Sequence, residues 1–356
     1  MTAKKKFDKI NSVIKMKKIL LPEENANLKY YKANLHCHST ISDGTKTPEQ
    51  LKEDYKAHGY SILSITDHEV FIPHSELSDS EFLMLNGYEI EASGTGGKTC
   101  HLCFVALEPD NTEEVCFSKA HLWGNAKTNA KYVNINKKTN LLFRKYTKHG
   151  VNKLIKTGQE HGFFVTYNHP TWSLEAYPQY IRYKNADAME ITNYGCVVCG
   201  FDDDNGHAYD DMLRHGEKLF CISTDDNHNV YPDSSPDCDS YGGYIMIASP
   251  SLNYRDVTAA LKKGLFYSST GTYRHTGPEF YGITYENGEV HIKTGNVRSI
   301  AYIPCSRDCQ IKNAEDGKCI NEATFKIKKN EKYFRIVITD TFGYKAYSNA
   351  YFPKEF

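Results

Sequence analysis

Seven short segments of this chain carry side chains of the kind that hold metal ions. They are His36-Cys37-His38 with Ser42-Asp43-Gly44, Thr66-Asp67-His68, Gly87-Tyr88-Glu89, Cys100-His101, Asn168-His169-Pro170, Glu190, and Asp225-Asp226-Asn227-His228. Mixed imidazole and carboxylate donors suit Zn²⁺, Mn²⁺ or Fe²⁺ and do not select among them. His36 and His38 lie two apart, so on a strand both rings point to one face and can chelate a single ion. Asp226 and His228 repeat that spacing. Asp225 then faces away and reads as a cap or as support. Glu89 and Glu91 also share a strand face; one carboxylate bridging two ions is a common device, and the other reads as a salt bridge or a solvated edge. At Asp67-His68, the expectation is that His68 ligates and Asp67 orients it.

An apolar run leads into most of these ligands, and helical segments separate most of them. A barrel of parallel strands has this pattern when each strand delivers one polar side chain to a common mouth. Thr47-Pro48-Glu49-Gln50 is a helix start, with Thr47 as N-cap, Pro48 in the first turn and Gln50 closing a capping box. Gly59 ends that helix and Tyr60–Thr66 follows as a strand. The spacing predicts further helices over Val151–Glu160, Ala208–Arg214 and from Asn253 to Lys263, with strands at Phe163–Tyr167 and Leu219–Ser223. Residues 108–147 read as a polar insertion with some helix, and 229–243 as a loop beside the last ligand pair. From about residue 276 the period changes to two, with strands near Val290–Lys293, Ser299–Ile303, Ala323–Ile327 and Tyr333–Thr339. The expected organisation is an α/β barrel over 1–275 and a small antiparallel β domain over 276–356. The lysine-rich first 30 or so residues read as an edge hairpin or a frayed end.

Composition narrows the function. The 356 residues carry a formal net charge of -1, which argues against long nucleic acid as the partner and leaves room for a small substrate. No stretch approaches the roughly 18–20 apolar residues of a membrane span. Eleven cysteines with no secretory apolar segment ahead of them read as reduced thiols in a cytoplasmic protein. Cys100/Cys103 and Cys196/Cys199 look like metal or redox pairs; strand geometry argues against a knuckle at the first, and the second reads as packing. There is no Gly-x-Ser-x-Gly elbow and no phosphate-binding Gly-x-x-x-x-Gly-Lys loop. Ser93-Gly94-Thr95-Gly96-Gly97 reads as a loop between strands. Arg274, His207 and His215 are candidates for touching substrate, and read as surface residues.

Taken in order, Asn34-Leu35-His36-Cys37-His38-Ser39, Ser42-Asp43-Gly44, Ile65-Thr66-Asp67-His68, Gly87-Tyr88-Glu89, His101, His169-Pro170 and Asp226-x-His228 resemble the motifs of the PHP (polymerase and histidinol phosphatase) family over about residues 30–275. Ser268-Ser269-Thr270-Gly271, Asp340-x-x-Gly343 and Ser348-Asn349 resemble a subgroup with an appended C-terminal β domain, which contains phosphoesterases and a carbamate-ester hydrolase. The resemblance implies a distorted (β/α)7 TIM-like barrel with two or three divalent metal ions at the strand ends. It implies that His36, His38, Glu89 and Asp226 hold the first ion and carry the reaction. Glu89 would bridge to a second ion held by His101 and His169, and Asp43, His68 and His228 would hold a third. Glu190 matches a position that does not usually ligate directly.

The expected activity is therefore that of a metal-dependent hydrolase, a phosphoesterase acting on a small phosphate ester. Two ions at roughly 3.5–4 Å would lower the pKa of a bridging water toward 7, and the hydroxide would attack phosphorus in line. A carbamate or carboxylic ester hydrolase using the same cluster is the alternative, since carbonyl and phosphoryl groups both need a Lewis acid and a nucleophile. A non-catalytic metal-binding interaction module is the second alternative. Oligomeric state is not legible in the sequence.

Overall fold

The computed structural model describes residues 17–25 and 27–356. Among these residues are seventeen strands, interspersed with short helices as far as the tenth and following one another directly after it. The strands are β1 (Lys18–Leu21), β2 (Lys29–Asn34), β3 (Ile62–Ile65), β4 (Leu83–Ser93), β5 (Thr99–Ala106), β6 (Phe163–Tyr167), β7 (Ala188–Asn193), β8 (Phe220–Thr224) and β9 (Gly243–Ser249), followed by β10 (Phe266–Thr270), β11 (Phe280–Glu286), β12 (Glu289–Val297), β13 (Ser299–Pro304), β14 (Gln310–Asn313), β15 (Ile320–Lys326), β16 (Phe334–Thr339) and β17 (Lys345–Ser348). The longer helices are Pro48–Ala57, Lys148–Glu160, Gly206–Arg214 and Tyr254–Lys262. Each falls where the sequence pattern places one. Thr47 and Gln50 make the reciprocal capping box, and Asn253 caps the last helix through the Asp256 amide.

Thirteen strands form one sheet in the order β14-β13-β16-β17-β10-β9-β2-β3-β4-β5-β6-β7-β8. The strands β2-β3-β4 and β6-β7-β8 run parallel within each set, but β5 is antiparallel to both neighbours. This corrects the expectation of a closed, mainly parallel (β/α)7 barrel: the architecture is mixed α/β, mostly sheet, and the ladder is open. The physical reason lies in the Gly-rich connection of residues 94–98, which turns tightly with the Gly94 amide on the Lys98 carbonyl. A parallel crossover needs about a dozen residues or more, so this connection can only reverse the chain. The sheet nevertheless curls far enough for its β8 edge to lie against β9 and β10. Past the ends of β2 and β8, Cys37 and Asn227 form a lone parallel bridge. There the His38 amide donates to the Asn227 carbonyl (3.1 Å) and the Asp226 amide to that of His36 (2.9 Å). That bridge brings the His36/His38 and Asp226/His228 pairs together.

A second sheet, β1-β11-β12-β15, packs on the strands that extend the first. Leu20, Leu21, Phe280, Ile283, Val290, Ile292, Ile300, Ile336 and Ile338 interdigitate there and are buried. Each such side chain contributes about 1.5–3 kcal/mol of burial free energy. No helix among the described residues is long and apolar enough to cross a membrane, and every cysteine is free.

The insertion after β5 holds only short helices, at Lys119–His121, Ala126–Asn129 and Ala130–Tyr132. It is nonetheless well anchored. Arg144 reaches the buried Glu69 carboxylate at 2.6–2.7 Å and donates to the Cys116 and Glu91 carbonyls. Glu114 is fully buried; one oxygen accepts from the Phe71 amide (2.7 Å) and the other has no partner. Burial pushes its pKa well above the usual carboxylate range. A carboxyl whose folded pKa is raised contributes most to stability at low pH, and that contribution is lost as pH rises through the folded pKa. Glu114→Gln, which cannot titrate, should therefore gain in melting temperature relative to wild type as pH rises from about 5 to about 8. A difference that is flat in pH, or that shrinks, would show that Glu114 is ionised in the folded protein.

Candidate metal centre

His36, His38, Glu89 and Asp226 converge on one point. His36 Nε2 lies 3.2 Å from His38 Nε2, 3.2 Å from Glu89 Oε2 and 3.1 Å from Asp226 Oδ1. His38 Nε2 is 2.9 Å from Asp226 Oδ1 and 3.5 Å from Glu89 Oε2. Four donors placed tetrahedrally about an ion at ~2.0–2.1 Å lie about 3.3 Å apart, so the observed edges match a tetrahedral shell. A cation between the two imidazole nitrogens would be held by both lone pairs at once.

Glu89 faces two ways. Its Oε2 is turned to His36, His38 and, at 3.1 Å, His68 Nδ1. Its Oε1 lies 3.2 Å from His101 Nδ1 and 3.5 Å from His169 Nε2. His68, Glu89 and His101 also form a donor group of their own, as do His38, Asp43, His68 and His228. In the latter, His228 Nε2 stands 3.0 Å from Asp43 Oδ2, and the His38 ring stacks on those of both His68 and His228. All nine residues expected as ligands lie within this one cluster.

The elements around the cluster set its geometry. Glu190, at the heart of β7, takes no place in the tetrahedral group. It accepts from His36 Nδ1 (2.7 Å), Thr224 Oγ1 (2.6 Å), the His169 amide (2.8 Å) and Asn193 Nδ2 (2.9 Å). By holding the proton on His36 Nδ1 it leaves Nε2 free for the centre. The backbone is left-handed at two residues of the cluster, Asp226 (φ 51°) and His169 (φ 26°); Asp and His tolerate that region better than branched residues do. The turn carrying Asp43 needs a glycine at 44, where a Cβ would sit 2.4 Å from the His38 carbonyl oxygen.

The electrostatics are those of a cation site. Burial opposes the charge on His36, yet Asp226, Cys103, Glu89 and Glu190 raise its pKa well above the ordinary imidazole range. Burial works against ionisation of Glu89 and Asp226 too, but the surrounding histidines, His36 foremost, hold both well below the usual carboxylate range. His68 is pushed down to about 3 by burial and then by His38, leaving it neutral. Burial pushes the neighbouring Cys103 thiol up to about 11. His38 Nδ1, His68 Nδ1, Glu89 Oε2 and His101 Nε2 are buried without a hydrogen-bond partner. Orphaned buried donors in such number are costly unless something fills the space between them, and this donor set fits divalent metal ions.

Several residues fall elsewhere. Asp67 does not orient His68: its carboxylate accepts from the amides and hydroxyls of Ser39 and Ser42 at 2.6–3.1 Å, bracing the turn before Asp43. Asp225 faces away, as the alternation requires, and accepts from Tyr55 Oη and the amides of Tyr241, Gly242 and Gly243 at 2.7–2.9 Å. Glu91 sits at the edge, 3.4 Å from His101 Nε2. Arg274 stacks on Tyr273, His215 bonds to Tyr177, and His207 is exposed on its helix; none lines the pocket. Cys196 and Cys199 do line it, where the sequence suggested packing alone. Sequence reasoning assigned no role to Asn168, which donates to Glu89 Oε1 (2.8 Å), or to Asn193, which donates to Asp226 Oδ2 (3.0 Å). It also passed over Trp123 and Trp172, which line the pocket of about 210 Å³.

No family model matches the chain. A 5'-3' exoribonuclease of Haemophilus influenzae is 35% identical over 85 residues, 23% of this chain and 30% of that protein, so the match spans under a third of the relative. Among solved structures, a two-domain protein from Bacteroides vulgatus containing a predicted PHP-like metal-dependent phosphoesterase is similar at a TM-score of 0.42 and 13% identity, over 91% of this chain and 94% of that one. An amidohydrolase from Chromobacterium violaceum with bound sulfate is similar at a TM-score of 0.36 and 17% identity, over 55% of this chain and 87% of that one.

Proposed function

We propose that this protein is a metal-dependent hydrolase of the PHP type and that its substrate is a small phosphate ester. The observation that carries this reading is Glu89, whose two oxygens face two separate sets of histidines. A carboxylate so placed fits a bridge between ions. His36, His38, Glu89 and Asp226 would hold one; Glu89, His101 and His169 a second; Asp43, His68 and His228 a third. Divalent ions there would supply Lewis acidity and would neutralise the charge of a phosphoryl group. The chain's own residues fix the donors. Glu190 sets the His36 tautomer, Asn168 and Asn193 orient the two carboxylates, and Asp67 locks the turn that presents Asp43.

A second reading, hydrolysis of a carbamate or carboxylic ester by the same cluster, draws on one observation. No lysine or arginine lines the pocket among the described residues, so an uncharged ester would fit as readily as a singly phosphorylated one. The test is turnover by the Mn²⁺- or Zn²⁺-loaded protein on phosphomonoesters, phosphodiesters, aryl esters and aryl carbamates, with the His36→Ala/His38→Ala double variant as blank. Phosphoester turnover at least about 10²-fold above the blank is expected. Cleavage of esters or carbamates alone would move the assignment to the second reading. No turnover with any metal would leave a metal-binding module.

A further inference from the structure

Trp123 and Trp172 are the chain's two tryptophans, and both line the pocket beside the candidate metal centre. Both are exposed. Trp123 lies against His68, with ring centroids 4.8 Å apart. Trp172 lies edge-on to His101 (5.4 Å) and His169 (5.1 Å). The other lining residues are carboxylates, histidines, cysteines and one glycine, so the indoles are the only large apolar surfaces the pocket offers.

Both are held in place by the elements that carry the ligands. Asn125 bonds to the Ser42 and Thr40 carbonyls, and Asn129 to that of Ile41, which pins the loop of Trp123 onto the Asp43 turn. Gly124 (φ 50°) packs so close that a Cβ would stand 3.1 Å from the Ser42 carbonyl oxygen. Trp172 rides on a turn closed by the Glu175 amide on the Pro170 carbonyl and the Ser173 amide on that of His169. Large aromatic faces left open to water in a cleft, on segments anchored by several hydrogen bonds, are what recognition of a flat apolar group requires. The pocket's lining holds no lysine or arginine to take additional phosphates.

We infer that Trp123 and Trp172 are specificity-determining residues that receive a planar aromatic group carried by the substrate, the aryl ring of an aryl phosphate or the base of a nucleoside whose sugar carries a single phosphate ester. This rests on the phosphoesterase reading of the same site. Such contacts are worth about tenfold or more in affinity.

The test uses the Zn²⁺-loaded full chain with phenylphosphonate and methylphosphonate as non-hydrolysable probes, followed by tryptophan emission and calorimetry. Phenylphosphonate should bind about tenfold more tightly than methylphosphonate and should perturb tryptophan emission. Trp123→Ala and Trp172→Ala should each narrow that gap, Trp→Phe at either site should recover part of it, and zinc content should stay at the wild-type level. A nucleoside phosphonate run alongside distinguishes a base from a simple aryl ring, and preference for either supports the inference. Equal affinity for phenyl- and methylphosphonate overturns it while leaving the phosphoesterase reading intact, as does a gap that survives in the double Ala variant. Failure of both phosphonates to bind protein that retains its zinc removes the phosphoesterase reading, and the inference with it.

Discussion

Glu89→Gln is expected to release at least one metal equivalent and to lower hydrolytic activity by about 10³-fold or more, at or beyond the usual cost of removing one stabilising group from an active site. The amide keeps the shape but presents one acceptor where two are used, since Oε2 and Oε1 face different histidine sets. If its NH₂ took the Oε1 position it would also face the Asn168 amide, which needs an acceptor there. Glu91→Gln, at the edge beside His101, should cost only about 10-fold. Metal content by elemental analysis and turnover on the same preparations decide the ranking. If Glu91→Gln is the more damaging, the bridging role belongs two residues further along β4.

The adjacent pair Asp225 and Asp226 should separate stability from metal binding. Asp226→Asn should lose metal, because Asp226 Oδ1 is shared between His36 and His38. Asp225→Asn should keep its metal and instead lose on the order of 3 kcal/mol of stability, since an amide cannot accept from the Tyr241, Gly242 and Gly243 amides and the Tyr55 hydroxyl together. Urea unfolding in chelator isolates this term, because bound metal would otherwise stabilise the folded state by mass action. Equal unfolding midpoints for the two variants would refute the division of labour.

Alternation along a strand end explains why this pair was legible in the sequence. The same rule predicted that His36 and His38 share a face, and capping chemistry placed the helix starts at Thr47 and Asn253. These are short-range properties. The Asp67 assignment failed because its partners, Ser39 and Ser42, come from another strand end and leave no mark beside His68. The direction of β5 was decided by the absence of a crossover between Glu89 and His101, a length argument that the attraction of a regular barrel obscured. Asn168 and Asn193 carry no signature of metal chemistry; only their position against Glu89 and Asp226 reveals them. The two tryptophans reach the pocket through an insertion and a turn whose paths depend on contacts with Thr40–Ser42 and Asn205.

The pairing of β1 with β11 bears on how the chain is made. A ribosome releases Lys18–Leu21 long before its hydrogen-bonding partner, Phe280–Glu286, which emerges only after β2 to β10 have been synthesised. Throughout that interval Leu20 and Leu21, both buried in the finished protein, have no native neighbour on that side. Vectorial synthesis thus leaves an apolar strand waiting, and nascent chains halted before β11 should be the species that chaperones retain.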